Sequence, residues 1–94
     1  MEHATKEDKD RLYGALLSLD TAEECADLLE DLLTITEINA ACQRLKVALL
    51  LSRKYTSHKI SDETGASTAT ISRVNKCLNY GAGGYKSVLE KMRE

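Results

Sequence analysis

Apolar residues recur at three- and four-residue spacing along nearly the whole chain, and nowhere do they alternate long enough to build a strand. The pattern predicts six helices and an all-α fold. The first runs from about Glu7 to Leu19, with Leu12, Ala15, Leu16 and Leu19 on one face and Tyr13 and Leu17 beside it. Asp20 is the expected cap of the second helix, with Glu23 reaching back to it. That helix carries Cys25, Ala26, Leu28, Leu29, Leu32 and Leu33. Thr34 and Glu37 form another capping box and open a long third helix to about Arg53. A fourth begins near Thr56 or Ser57 and stops at Gly65. The fifth is capped by Ser67 and ends between Asn79 and Gly81, and the sixth covers roughly Tyr85 to Met92.

The first three helices are apolar over more than one stripe. In the third, Ile38, Ala41, Cys42, Leu45, Ala48 and Leu49 share a face while Val47, Leu50 and Leu51 point elsewhere. A domain of 94 residues offers a single core, so two apolar faces call for a second chain. An obligate homodimer built from helices one to three, wrapped around each other, is expected. The competing reading has the extra face cover helices four to six of the same chain.

Residues 57–77 have the layout of a helix-turn-helix: a short helix, a glycine-containing turn, and a second helix. Gly65 stands where the chain must turn left-handed, which glycine does at little cost. Ile60, Ala66, Ile71, Val74 and Leu78 have the spacing to hold the pair together, leaving Thr68, Ala69, Ser72 and Lys76 outward with Arg73 beside them. The stretch "TGASTATISR" opens its helix with small or hydroxylated side chains and no charge before Arg73. Ser and Thr are mediocre helix formers. Short side chains at this end make sense where the backbone must approach base edges in a major groove, with hydroxyls to donate or accept and methyls for thymine. Arg53, Lys54, Lys59 and Lys76 surround this end and are expected to meet phosphates. The plain alternative is a helical hairpin used for packing or protein contact.

Charge adds weight to the DNA reading without deciding it. Residues 1–42 carry eleven acids against three bases, a net −8, and residues 43–94 carry ten bases against four acids, a net +6. A polyanionic partner for the second half and a merely uneven surface fit this split equally well. Three widely spaced cysteines, Cys25, Cys42 and Cys77, fit free thiols in a reducing cytoplasm, with Cys25 and Cys42 expected as small fillers facing the core. The charged start "MEHATKEDKD" lacks the apolar run of a secretion signal, and "VALLL" is far too short to span a bilayer, so a cytoplasmic location is expected. No cysteine spacing or histidine pairing points to a metal, and His3 and His58 are too isolated for acid–base chemistry, so no catalytic residue is assigned.

The segments "LLTITEINAACQRLKVALLL" and "ISDETGASTATISRVNKCLN" resemble the tryptophan-repressor-like superfamily, most closely its YerC/YecD-type branch, over about residues 10–93. The resemblance implies a six-helix intertwined homodimer whose two recognition helices sit in successive major grooves of a near-palindromic operator. That docking geometry is the tryptophan repressor's own. It also implies Ser57 and His58 as DNA contacts with Lys59. In the repressor, indole lies between two arginines that match Arg44 and Arg73, and the threonine near the ligand carboxylate matches Thr34, with a neighbouring carbonyl near Leu33. Two positions depart from that pattern: Val74 stands where the repressor has glycine, and Cys77 where it has serine. A valine where ring atoms would lie overpacks the pocket, by about 1–3 kcal/mol. Tryptophan is therefore not the expected cofactor: either Val74 fills the cavity and the reading heads are permanently set, or another small-molecule effector is used.

The sequence reading is a single domain over residues 1–94: dimerisation helices at 7–53, a helix-turn-helix at 56–79 and a C-terminal helix at 84–93. Its expected role is sequence-specific binding of duplex DNA as a regulator of repressor type. A protein-interaction module, or a helical dimer that binds a small molecule without DNA, is the alternative.

Overall fold

The computed structural model describes residues 3–93. Among them there are six helices and no strand: α1 Lys6–Leu17, α2 Ala22–Leu32, α3 Ile35–Ser52, α4 Ser57–Thr64, α5 Thr68–Tyr80 and α6 Gly84–Lys91. The all-α class and the number of helices follow the apolar periodicity, and most boundaries move by only one or two residues, as helix ends do. Met1, Glu2 and Glu94, the ends of the expected 1–94 domain, lie outside the described residues.

Local hydrogen bonds explain where the helices begin. Thr5 with Asp8, Thr21 with Glu24, and Thr34 with Glu37 each form a reciprocal box in which the hydroxyl accepts from the third residue's N–H and the carboxylate accepts from the threonine N–H. The second of these corrects the expected cap. Asp20 and Glu23 do not cap α2; Thr21 and Glu24 do, one residue later, and the Asp20 N–H itself donates to the Glu24 carboxylate at 2.9 Å. The run "DTAEE" offers two caps with the same spacing, and the one taken lets a single carboxylate satisfy two backbone donors.

The chain divides into two compact units, one up to Ile38 and the other from Asn39 onward. In the first, neither α1 nor α2 has a buried side chain. Leu12, Tyr13, Leu16 and Leu32 are exposed, Leu17 is 85% exposed and Ile35 77%. Helices of 11 and 12 residues are marginal by themselves in water, so these apolar faces have to be covered for the helices to persist.

In the second unit, Val47, Ala48 and Leu50 of α3, Ile60 of α4, Ala66 of the following turn, Ile71 and Val74 of α5 and Leu89 of α6 form one buried cluster. Leu49, Leu51, Tyr55, Leu78 and Tyr85 pack around it. Burying a side chain such as Ile60 or Val74 contributes about 1.5–3 kcal/mol. α3 thus uses its Val47/Leu50 side against α4–α6, while Ala41, Cys42 and Leu45 stay exposed. Cys25 and Cys42, expected as core fillers, are exposed instead, since neither belongs to the buried cluster.

Two turns set the directions of the later helices. After α3, Lys54 is the one non-glycine residue with positive φ among the described residues, at 67°; its N–H donates to the Leu51 carbonyl at 3.0 Å, and the Tyr55 N–H reaches back to the Leu50 carbonyl at 3.1 Å. Between α5 and α6 the glycines divide the work, Gly81 closing α5 through its N–H and Gly83, at φ 89°, leading into α6.

Candidate nucleic-acid interface

α4, the turn and α5 are fixed to one another by side-chain as well as backbone hydrogen bonds. Gly65 is left-handed at φ 72° and its N–H closes α4 on the Ser61 carbonyl at 2.8 Å. The Thr64 hydroxyl donates to the Ile60 carbonyl at 2.7 Å and accepts from the Ala66 N–H at 3.1 Å. The Ser61 hydroxyl donates to the Ala66 carbonyl at 3.0 Å. From α3, the Gln43 amide donates to the Thr64 carbonyl at 3.2 Å. Nearly every polar group that could let this turn drift is occupied, and Ile60, Ala66, Ile71 and Val74 are buried beneath it. Gln43 was missed by sequence reasoning, since a glutamine on a helix carries no signal of what it will reach.

What this frame presents is the first two turns of α5. Ser67 caps the helix by accepting from the Thr70 N–H at 3.1 Å. Thr68, Ala69, Ser72, Arg73 and Lys76 are exposed, whereas Thr70 is half-buried and Ile71 and Val74 are fully covered. The small, uncharged side chains expected at the tip therefore lie at the surface, and α5 contains no acidic residue. Ser57, His58 and Lys59 are exposed on the first turn of α4, and Arg53 and Lys54 are exposed just before it. His58 lies 3.4 Å from Asp62 one turn along. The Lys59 ammonium sits 4.8 Å from the centre of the Tyr55 ring. The α5 tip is exposed and uncharged at the positive end of the helix dipole, while the exposed cations stand on the first turn of α4 and just before it, with Lys76 farther along α5.

Three of the residues expected to hold an effector meet in the second unit. Arg44, Arg73 and Val74 line one shallow recess of about 160 Å³, together with Ala69 and Thr70. Val74 is only 2% exposed, so its side chain belongs to the core floor beneath the two arginines. Neither guanidinium has a carboxylate partner among the described residues. Cys77 is exposed on α5 and is not in the lining. Thr34, in the first unit, is occupied in capping α3 through Glu37. Thr70 is the lining residue that sequence reasoning did not single out.

No helix among the described residues is long and apolar enough to cross a membrane, and no group of three or more His, Cys, Asp or Glu is placed to hold a metal ion. Comparison with known proteins agrees with the architecture. The chain is 52% identical over 85 residues to the uncharacterized protein YerC of Bacillus subtilis (strain 168), covering 90% of this chain and 82% of that one. Among solved structures, a TrpR-like protein from Eubacterium eligens ATCC 27750 superposes with a TM-score of 0.90 at 46% identity, covering 96% of this chain and 95% of the other. A candidate Trp repressor from Staphylococcus aureus superposes with 0.89 at 42% identity, over 94% and 88% of the two chains. The family model described as Trp repressor protein matches residues 7–93. With its six helices, its glycine-closed turn and this match over nearly its full length, the chain belongs to the Trp repressor protein family.

Proposed function

We propose that this protein is a homodimeric transcriptional regulator of repressor type that binds duplex DNA in a sequence-dependent manner. The observation that carries the reading is the tip of α5: Thr68, Ala69 and Ser72 are exposed while Ile71 and Val74, on the covered side of the same helix, are locked into the core. The tip is rigid, short and uncharged, which suits close approach to base edges in the major groove. Arg53, Lys54, Ser57, His58, Lys59 and Lys76 then serve as phosphate contacts that orient the domain without reading sequence. Family membership supports the same reading. The protein is expected to work in the cytoplasm.

Residues 7–53 supply the dimer. Uncovered leucines on α1 and α2 and the exposed Ala41, Cys42 and Leu45 on α3 are the surface a second copy would bury, with residues 56–79 reading DNA and 84–93 completing each head. A two-fold dimer places its two recognition helices about 34–36 Å apart, one helical turn, and therefore reads a near-palindrome. With Val74 part of the core floor, the heads are set without tryptophan.

Selection of bound sequences from a random duplex pool, followed by affinity measured across a salt series, tests the proposal. Near-palindromic sites with half-sites one turn apart, and affinity that falls linearly on logarithmic axes as salt rises, are expected. No enrichment and no salt dependence would instead favour a protein-interaction module.

A further inference from the structure

We propose that Tyr55 is a positioning residue for DNA binding, holding Lys59 by its ring and Lys54 by its backbone so that both cations are pre-placed for phosphates of the duplex. The inference rests on the DNA-binding reading above and adds a residue that neither the sequence pattern nor the family resemblance marks.

Two locally unfavourable choices stand side by side at the corner between α3 and α4. Lys54 occupies a left-handed backbone position, φ 67°, that glycine adopts far more readily. Lys59 is the third residue of α4, in the first turn, where the positive end of the helix disfavours a cation; the first turn contains no acid. Neither lysine has a carboxylate partner among the described residues, so their charges are not there to neutralise each other's neighbours. Local rules broken with no acidic partner to offset them point to function.

Tyr55 is what the two lysines share. Its N–H closes the turn on Leu50 and thereby fixes Lys54 in its left-handed position. Its side chain is half-buried against the core, which makes the ring a fixed platform, and the Lys59 ammonium lies 4.8 Å from the ring centre. A lysine on four rotatable bonds otherwise loses much of its freedom when it meets a phosphate. Stacked over a ring face it has already lost part of it, and the ammonium protons that point away from the ring remain free to donate. The arrangement serves any sequence alike, because phosphates carry no sequence information.

The test uses the full-length protein, a duplex recovered by the selection described above, and affinity measured across a salt series with thermal midpoints recorded in parallel. Lys59→Ala is expected to lower the salt slope by about 0.9, one phosphate contact. Tyr55→Leu should weaken binding by about two- to fivefold on every duplex, the loss of an exposed cation–ring contact, while Tyr55→Phe, which keeps the ring face, binds as the parent does. In the Lys59→Ala background, Tyr55→Leu should cost nothing further. Lys54→Gly, which leaves the core untouched, should keep or raise the thermal midpoint yet lower the slope by about 0.9. An equal penalty for Tyr55→Leu in both backgrounds, a Tyr55→Phe as weak as Tyr55→Leu, or a Lys54→Gly with the parental slope would each overturn the proposal while leaving DNA binding intact. A parent protein that retains no duplex overturns both.

Discussion

The backbone N–H of Gly81 donates to the Cys77 carbonyl oxygen at 2.8 Å, and a β-carbon on Gly81 would be driven into that same carbonyl group. The close of α5 therefore depends on a missing side chain, and the elbow into α6 depends on the close of α5. Gly81→Ala is expected to lower unfolding free energy by about 1–3 kcal/mol, since backbone atoms cannot move aside as a flexible side chain can. At Gly84, in the first turn of α6, a β-carbon would meet nothing within 4 Å. Gly84→Ala should stabilise by about 0.5–1 kcal/mol. Urea titrations of the two variants separate the predictions by sign.

Acid sensitivity is expected from two capping boxes. The Thr34 N–H and hydroxyl hold the Glu37 carboxyl below its ordinary value of 4.5, and Thr5 does the same for Asp8 below 3.8, with Arg11 adding a smaller pull. Lowered folded-state values mean that the unfolded chain takes up protons first. The stabilisation is complete above the ordinary value and is lost as pH falls through the lowered one. Glu37→Gln should remove this acid-side slope, slightly lowering the thermal midpoint above pH 4.5 and leaving it nearly unchanged in stronger acid, read over a pH series.

Leu16 and Leu12 are large apolar residues left exposed on α1, in a unit where α1 and α2 bury no side chain. If the proposed dimer forms through this face, Leu16→Asp should convert it to monomer or to unfolded chain, because a charge within an apolar interface goes unpaired. Sedimentation velocity is the measurement, and a parent protein that sediments as a stable monomer would contradict the dimer outright.

Val74 forms the floor of the recess flanked by Arg44 and Arg73. Isothermal titration with L-tryptophan should show no micromolar binding to the parent protein. Val74→Ala should lose about 1–3 kcal/mol of stability and bind indole-bearing ligands more tightly than the parent, because the same methyls that fill the core also occupy ring space.

Exposed groups on α5 should sort by what they touch. Thr68→Val or Ser72→Ala is expected to change which bases are preferred, each altered contact being worth about 1–3 kcal/mol. Lys76→Ala should weaken all duplexes alike and reduce the salt slope by about 0.9. Repeating the random-pool selection on each variant distinguishes the two classes.

Much of the fold was readable because helix starts are decided within four residues. Thr34 with Glu37, Ser67 before "TATISR" and Gly65 after α4 are local chemistry, and each stands where the pattern put it. Asp20 was misplaced for the same reason that others were placed: "DTAEE" contains two candidate boxes, and only the hydrogen-bond geometry chose Thr21. The candidate interface was half legible. Helical spacing alone put Thr68, Ala69 and Ser72 opposite Ile71 and Val74, but nothing local announced that Gln43 would pin the turn or that Lys59 would lie over Tyr55.

The sequence by itself determined six helices, the caps at Thr34 and Ser67, the left-handed glycine at 65 and an excess of apolar surface too large for one small core. Those properties arise from neighbours along the chain and from composition. Only tertiary structure decided which face of α3 is spent on α4–α6, leaving Cys42 and Leu45 exposed, and which side chains from separate helices share the recess of Arg44, Arg73 and Val74. It also decided that Lys54, and not a glycine, would take the left-handed turn. These are outcomes of packing between distant segments, where the lowest free energy belongs to the assembled core and no single stretch of residues contains it.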